Sequence, residues 1–504
     1  MTDTHREIER KLRVPALYEL PTLASLEGVT QAEGQPTVTL LNNYVDTPDL
    51  RLFRWGITLR RRDGGSDEGW HVKIPVAESN SGARDEIRAP WQPELPDDLR
   101  QLLTAFVREA EPEPLVTLRT ERTPYLLRDE TGTLRAELVD DSVSVLSGDR
   151  TVSTFREIEV EAVPDSEGHL DEDFVDRVAE ALTHTGAVPS KQSKAAAALG
   201  PRALAPPDVP IMPWPSAKDS SGDVVHAFLA HHVRHLILED LRMRRHLPDA
   251  VHQMRVSARR LRSGLKAFKS LLDPEIADRL RGELAWMAAS LGAARDAEVL
   301  QERLDRHADR LPERQGRLAR AVIDPALESQ AAAAAREAEA MLESLRYREL
   351  LVSLVAVAQR PPLSIEADQP ADEVLPRLLR KATGRLDKAI NRLTQDGPAE
   401  PWHEARIVAK RARYVADACA PVLGKRVQTL AARLAEVTDL LGTHHDAHVA
   451  QATLEELAAG ADGRAGFALG ALQQVEIDAE MADRRSFSKM WPKVARAIRR
   501  DLPR

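Results

Sequence analysis

Glu7-Ile8-Glu9-Arg10-Lys11 places two carboxylates and an ammonium at alternate positions near the start of the chain, and Glu157-Ile158-Glu159-Val160-Glu161 repeats the spacing with three carboxylates. In a β-strand, residues two apart share a face. Each segment therefore presents charge on one side and aliphatic side chains on the other. Arg60 and Arg62 share a face of segment 57–62, Lys73 sits in Trp70-His71-Val72-Lys73-Ile74, and Arg84 and Glu86 alternate in the segment after it. Further charges follow at Arg119 and Arg122, then at Glu137 and Asp140. An antiparallel sheet with one wet face commonly has this pattern. Here, however, charges of both signs face one way on nearly every strand. If the sheet closes, that face lines a lumen. Its carboxylates suit a hard cation bound through oxygen, as Mg²⁺ prefers. Its Arg and Lys suit phosphate oxygens. A metal–polyphosphate complex requires both.

A second pattern lies far downstream. His252-Gln-Met-Arg255-Val-Ser-Ala-Arg259-Arg-Leu-Arg262 recurs as His403-Glu-Ala-Arg406-Ile-Val-Ala-Lys410-Arg-Ala-Arg413, with the same separation in every matched pair. At about 100° per residue on an α-helix, the four positions fall within an arc of roughly 80°. Each helix carries a ridge of one His and three cations. From residue 252 to 272 there are six Lys or Arg and no acid, so salt bridges along this face cannot neutralise it. Such a ridge wants an extended polyanion. The binding set is His252, Arg255, Arg259, Arg262, Lys266, His403, Arg406, Lys410 and Arg413, with Arg295 and His445 extending the surface. Arg260 and Arg411 point to another face. His444-His445-Asp446-Ala447-His448 has imidazoles at zinc-ligand spacing, but its first-copy counterpart is Ala294-Arg295-Asp296-Ala297-Glu298, and no zinc is expected.

The elements that must hold these residues change character near residue 200. Before it, short β-like segments (37–44, 56–62, 70–75, 115–119, 133–138, 141–146 and 154–162) alternate with Gly, Pro and Asp turns, interrupted by helices near 96–109 and 171–185. After it, the chain reads as amphipathic helices rich in Ala, Leu, Arg and Glu. The fold class expected is multidomain α+β: an antiparallel β tunnel or barrel over 1–200, a Pro-rich linker with a flexible Ser-Ser-Gly end over 201–222, and an all-α pair of pseudo-repeated four-helix bundles over 223–504. Asp249 is expected to cap the helix bearing His252, and a helix is expected to end at Leu441-Gly442. A net charge of −9 confines basic chemistry to local patches, and 4% aromatics leaves little for a base-stacking platform, so no specific nucleic acid is expected. No apolar run is long enough to span a membrane, the start lacks the apolar stretch of a signal peptide, and one cysteine, Cys419, fits a reducing compartment. A cytoplasmic protein is expected.

Glu7-x-Glu9-x-Lys11, followed in order by Leu59-Arg-Arg-Arg62, Lys73, Arg84-x-Glu86, the Glu-x-Glu-x-Glu strand and Ser190-Lys-Gln-Ser-Lys194, resembles the CYTH domain of the triphosphate tunnel metalloenzymes. The helical half resembles the CHAD domain, which is associated with polyphosphate. The resemblance implies binding of Mg²⁺ or Mn²⁺ by Glu7 and Glu9 with Glu157 and Glu159. Glu86 and Asp140 are additional candidates, and Glu161 competes for a place on its strand. It implies phosphate contacts from Lys11, Arg60, Arg62, Lys73, Arg84, Arg119, Arg122 and either Lys191 or Lys194. The activity implied is hydrolysis of inorganic triphosphate, with polyphosphate as the helical domain's partner and polyphosphate granules as a place of association. The alternatives implied are a non-catalytic polyphosphate-binding protein and an enzyme acting on a nucleotide or thiamine triphosphate.

Overall fold

A computed structural model of the protein describes residues 3–76 and 83–503, leaving aside the side chains of residues 3, 294 and 295. The chain divides into two compact units, Met1–Asp208 and Val209–Arg504.

The first unit is built on one antiparallel sheet. Its strands are β1 (Asp3–Glu7), β2 (Glu9–Val14), β3 (Gln31–Gly34), β4 (Val38–Asp46), β5 (Thr58–Asp63), β6 (Gly69–Pro75), β7 (Arg84–Pro90), β8 (Glu113–Arg128), β9 (Leu134–Ser147), β10 (Arg150–Ala162) and β11 (Val188–Ser190). The main path runs β1-β7-β6-β5-β4-β8-β9-β10-β2-β11, with β3 added beside β8. β1 pairs with β7 at one end of this path, and β2 pairs with β10 near the other. Only Ile8 separates β1 from β2 in the chain. The sheet must therefore curl until its ends meet. That closure turns the charged face inward.

The outward face of the closing strands is apolar. Leu12 and Val14 of β2, Leu127 of β8, Ala136 and Leu138 of β9, and Ile158, Val160 and Ala162 of β10 pack with Phe174, Val175, Val178 and Leu182. Those four residues line one side of helix α4. The helices of this unit are α1 (Arg51–Arg54), α2 (Asp97–Leu102), α3 (Thr104–Val107), α4 (Glu172–His184) and α5 (Lys194–Leu199). Asp171 caps α4 by accepting from the Phe174 amide. The usual arrangement of a one-sided sheet is thus inverted: the greasy side is covered by a helix and the charged side is enclosed. Inside, the row turns apolar toward Tyr44, Leu118, Val143 and Val145, which meet Phe53 and Ala195 of α1 and α5.

The second unit is helical: α6 (Ser221–Arg244), α7 (Ala250–Ala267), α8 (Pro274–Ser290), α9 (Gly292–Ala308), α10 (Glu313–Glu343), α11 (Leu345–Gln359), α12 (Ala371–Ile390), α13 (Ala399–Leu423), α14 (Lys425–Ala459) and α15 (Gly463–Asp501). In chain order the repeat matches α6, α7, the α8–α9 pair and α10 to α12, α13, α14 and α15. α11 has no counterpart and lies against α6, where the Tyr347 hydroxyl donates to Asp240 at 2.8 Å. α7 and α13, which bear the two ridges, are in contact.

Three local expectations are corrected. α14 does not end at Gly442 but runs through it. Its apolar residues from Val427 to Leu454 are buried on both sides of the glycine, and that packing outweighs a propensity cost of about 1 kcal/mol. Asp249 stands at the start of α7 in a left-handed conformation (φ 63°) and makes no side-chain cap. Its carboxylate accepts from Gln253 Nε2 instead. The Ser-Ser-Gly segment is not a hinge. Ser220 forms a reciprocal capping box with Asp223, and Gly222 is buried where a Cβ would meet Leu363 at 2.7 Å. Asp208, in the expected linker, is buried and accepts from Trp55 Nε1 at 2.7 Å and from Arg108.

Candidate functional site

The closed sheet brings charges of both signs into one lumen. Lys11 Nζ lies 3.0 Å from Glu9 and 3.2 Å from Glu159. The register that pairs Lys11 with Glu159 across β2 and β10 also sets Glu9 beside Glu161. Lys73 reaches Glu7 at 2.5 Å. Arg122 forks onto Asp141 at 2.7 and 2.9 Å and reaches Glu159 at 3.1 Å. Lys194 comes from the first turn of α5, which Ser193 caps. It touches Asp141, Glu157 and Glu159 at 2.9, 2.8 and 2.7 Å. Glu86 gathers His71 at 3.0 Å, Arg60 at 3.4 Å and Arg88 at 2.5 Å. Arg62 is held by Asn42 at 3.1 Å and by Asp67.

The electrostatics divide the lumen in two. Burial works against the charged forms of Glu86 and Glu159. The His71 and Lys73 contacts overcome it for Glu86, as do Lys194, Lys11 and Arg122 for Glu159, so both stay well below the usual carboxylate range. Lys73 and Lys194 are raised despite burial by the acids around them. Glu161 is different. Burial, then the charges of Glu7 and Glu9, push it up to about 8, and among the described residues it has no cation within salt-bridge distance. Glu7 is also raised by burial. Glu9, despite its burial, is instead held below the usual carboxylate range by Lys11 and Lys73. Glu7 and Glu161 are therefore short of positive charge, and with Glu9 beside them a divalent cation fits that deficit and that oxygen donor set. Among the described residues no three such groups already stand at ligating geometry: Glu7 is turned to Lys73 and Glu9 to Lys11.

The helical unit holds a half-open cavity of about 1070 Å³ between α7, α8, α9, α13 and α14. Arg255, Arg259, Arg262 and Lys266 line it from α7, Arg406, Lys410 and Arg411 from α13, and Arg281 and Arg303 from α8 and α9. Against these nine cations stand three acids, Asp278, Asp296 and Asp446. Arg255 pairs with Asp296 at 2.8 Å, and Glu476 orients Arg303 at 2.8 Å from behind. The surplus appears in the titration of Lys410, pushed down to about 8 by burial and by Arg406 and Arg259. Burial and neighbouring cations also lower Arg262 and Arg406. His445 is pushed down to about 4 by burial, Arg406 and His403.

The CYTH domain family matches residues 5–186 and the CHAD domain family matches residues 227–455. Two Mycobacterium tuberculosis proteins, Rv2226 and MT2285, are each 32% identical over 518 positions, covering 98% of this chain and 98% of their own. The chain belongs to the CYTH–CHAD fusion family. Among solved structures, PptA from Streptomyces chartreusis is 26% identical, with 54% of this chain and all of that chain covered at a TM-score of 0.47. The CHAD domain from the plant Ricinus communis is 27% identical, with 54% of this chain and 94% of that one covered at 0.42.

In the CYTH unit, the structure brings Glu7, Glu9, Lys11, Arg60, Arg62, Lys73, Glu86, Arg122, Glu157, Glu159, Glu161 and Lys194 together in one lumen. Arg84 pairs in register with Glu7 and is partly buried. Three candidates do not join. Arg119 is exposed, because it lies an odd number of residues from Arg122 and so points to the opposite face. Asp140 faces outward and binds Arg156 at 2.7 and 2.8 Å, leaving its neighbour Asp141 as the lumen acid. Lys191 is exposed, and Lys194 takes the position they contested. Sequence reading missed Asp141, Tyr44, Asp67, His71 and Arg88. Counting in twos from Glu137 reaches Asp141 and passes over Asp140.

In the CHAD unit, Arg255, Arg259, Arg262, Lys266, Arg406, Lys410 and His445 line the cavity, and Arg411, expected on another face, joins them. His252, His403 and Arg413 are not among its lining. His403 stands beside His445 with ring nitrogens 3.3 Å apart. Arg413 departs from its repeat mate Arg262 and binds Thr438 at 2.9 Å and Asp439 at 3.3 Å. The Arg295 side chain lies outside the described residues. Arg281 and Arg303 were missed because they come from helices outside the repeated motif.

Proposed function

We propose that the CYTH unit hydrolyses a short linear inorganic triphosphate with Mg²⁺ or Mn²⁺, and that the CHAD unit binds inorganic polyphosphate. The observation that carries the first part is one lumen in which Lys11, Arg60, Arg62, Lys73, Arg122 and Lys194 interleave with a carboxylate cluster short of positive charge. Lys and Arg in such a row bind phosphate oxygens and stabilise charge on the transferring phosphoryl group, which is chiefly a matter of position and field. Glu7, Glu9 and Glu161 would hold the divalent ion. When bound, that ion supplies Lewis-acid stabilisation and lowers the pKa of water. Substrate phosphates would take over Lys11 and Lys73, freeing Glu9 and Glu7 from the ion pairs that now hold them.

The second part rests on nine cavity cations facing three acids and on the lowered titration of Lys410. A polyanion would neutralise that surplus. Among the described residues no helix is long and apolar enough to cross a membrane. A cytoplasmic protein recruited to polyphosphate granules by its CHAD unit follows from this reading. The test is phosphate release from triphosphate, ATP, thiamine triphosphate and long polyphosphate, with and without Mg²⁺. Turnover of triphosphate above the others supports the proposal, and inertness with tight polymer binding rejects the hydrolase.

A further inference from the structure

We propose that Asp67 sets the chain-length limit of the CYTH lumen, its carboxylate standing on Arg62 as an internal anion that closes the cation row to a further phosphate group. The inference rests on the triphosphatase reading above. Asp67 lies in the turn joining β5 to β6, and the turn is pinned on both sides. Gly64 and Gly65 have φ of 87° and 85°, and a Cβ on either would meet Thr39 O or Leu40 Cδ2 at 2.8 Å. A Cβ on Gly69 would meet Ala89 O at 2.4 Å. The Asp67 carbonyl lies 2.8 Å from His71 Nε2. From this anchored backbone the side chain turns inward and pairs with Arg62, itself buried.

The carboxylate meets Arg62 on the face of β5 that Arg62 shares with Arg60. Arg62, His71, Arg60 and Arg88 all bear on its charge, and its own charge is felt by Glu137 on β9. A guanidinium N–H donates to a carboxylate or a phosphate oxygen alike, and Arg62 gives Nη1 to Asp67 while its Nε goes to Asn42. Asp67 thus fills the place that the next phosphate of a longer chain would claim. With Glu137 nearby, it sets two acids against that phosphate. Like charges built against the wrong partner confer selectivity without a new attractive contact. A triphosphate spread over the rest of the cation row need not displace Asp67 from Arg62, whereas a longer chain that also claims Arg62 must break the pair.

The test is kcat/KM for triphosphate and tetraphosphate with Mg²⁺ in the full-length protein and in its Asp67→Asn and Asp67→Ser variants. The tetraphosphate-to-triphosphate ratio is expected to rise by about tenfold or more, through a gain in kcat/KM for tetraphosphate. An unchanged ratio, or an equal fall for both substrates, would show that Asp67 only holds Arg62 and would overturn the inference alone. A wild-type chain inert toward every length would remove the hydrolase reading and this inference with it.

Discussion

Strand parity separates functional from incidental charge in the CYTH unit. Arg122 and Arg119 are the same residue type on one strand, yet only Arg122 bridges Asp141 and Glu159. Arg122→Ala is expected to lower kcat/KM for triphosphate by about 10²-fold, as for loss of one donor to a developing charge, whereas Arg119→Ala leaves it within about twofold. Equal effects in a steady-state comparison would contradict the assignment of faces. Lys410 gives a pH signature in the CHAD unit. Its pKa is depressed to about 8, so the free protein holds the cation at pH 7 and loses it through pH 8. A bound polyanion favours the charged form, so binding above pH 8 takes up a proton and weakens as pH rises. Polyphosphate affinity should fall about tenfold between pH 7 and 9 through this group. In Lys410→Arg that portion should vanish, and an unchanged pH profile measured by titration calorimetry would reject it.

The elements show where sequence reading succeeds and where packing decides. The period-two charge pattern and the helical ridges were legible because side-chain direction follows from local geometry alone. The break at Ile8, where the sheet closes on itself, and the passage of α14 through Gly442 were not legible, because both depend on partners distant in sequence. The same limit hid Arg281 and Arg303, whose place in the cavity is fixed by helix packing and not by any motif of their own. Two glycines make the point testable. Gly264 on α7 faces α6, and a Cβ there would fall 2.1 Å from the ring of Phe228. Gly264→Ala should destabilise the helical unit by about 1–3 kcal/mol through overpacking. At Gly442 an added Cβ meets nothing within 4 Å, and Gly442→Ala should stabilise by about 0.5–1 kcal/mol. Thermal denaturation followed by circular dichroism distinguishes them, and shifts of the same sign would contradict this account.

At the scale of the whole molecule, one chain carries two anion-directed interiors of different construction. The CYTH unit mixes signs, so its lumen suits a phosphate chain that arrives with a divalent cation. The CHAD cavity is mostly basic, and the polyphosphate binding proposed for it should weaken steeply with salt. Neither interior depends on a net basic charge, since the chain as a whole stands at −9. The central claim is that the mixed-sign lumen performs metal-dependent hydrolysis. Its most direct test is phosphate release from triphosphate by the full-length protein and by Glu9→Gln, each with Mg²⁺ and with a chelator. The wild type is expected to turn over triphosphate only with the metal, and Glu9→Gln to lose that activity by about 10²-fold or more. Undiminished, metal-dependent release from Glu9→Gln would contradict it.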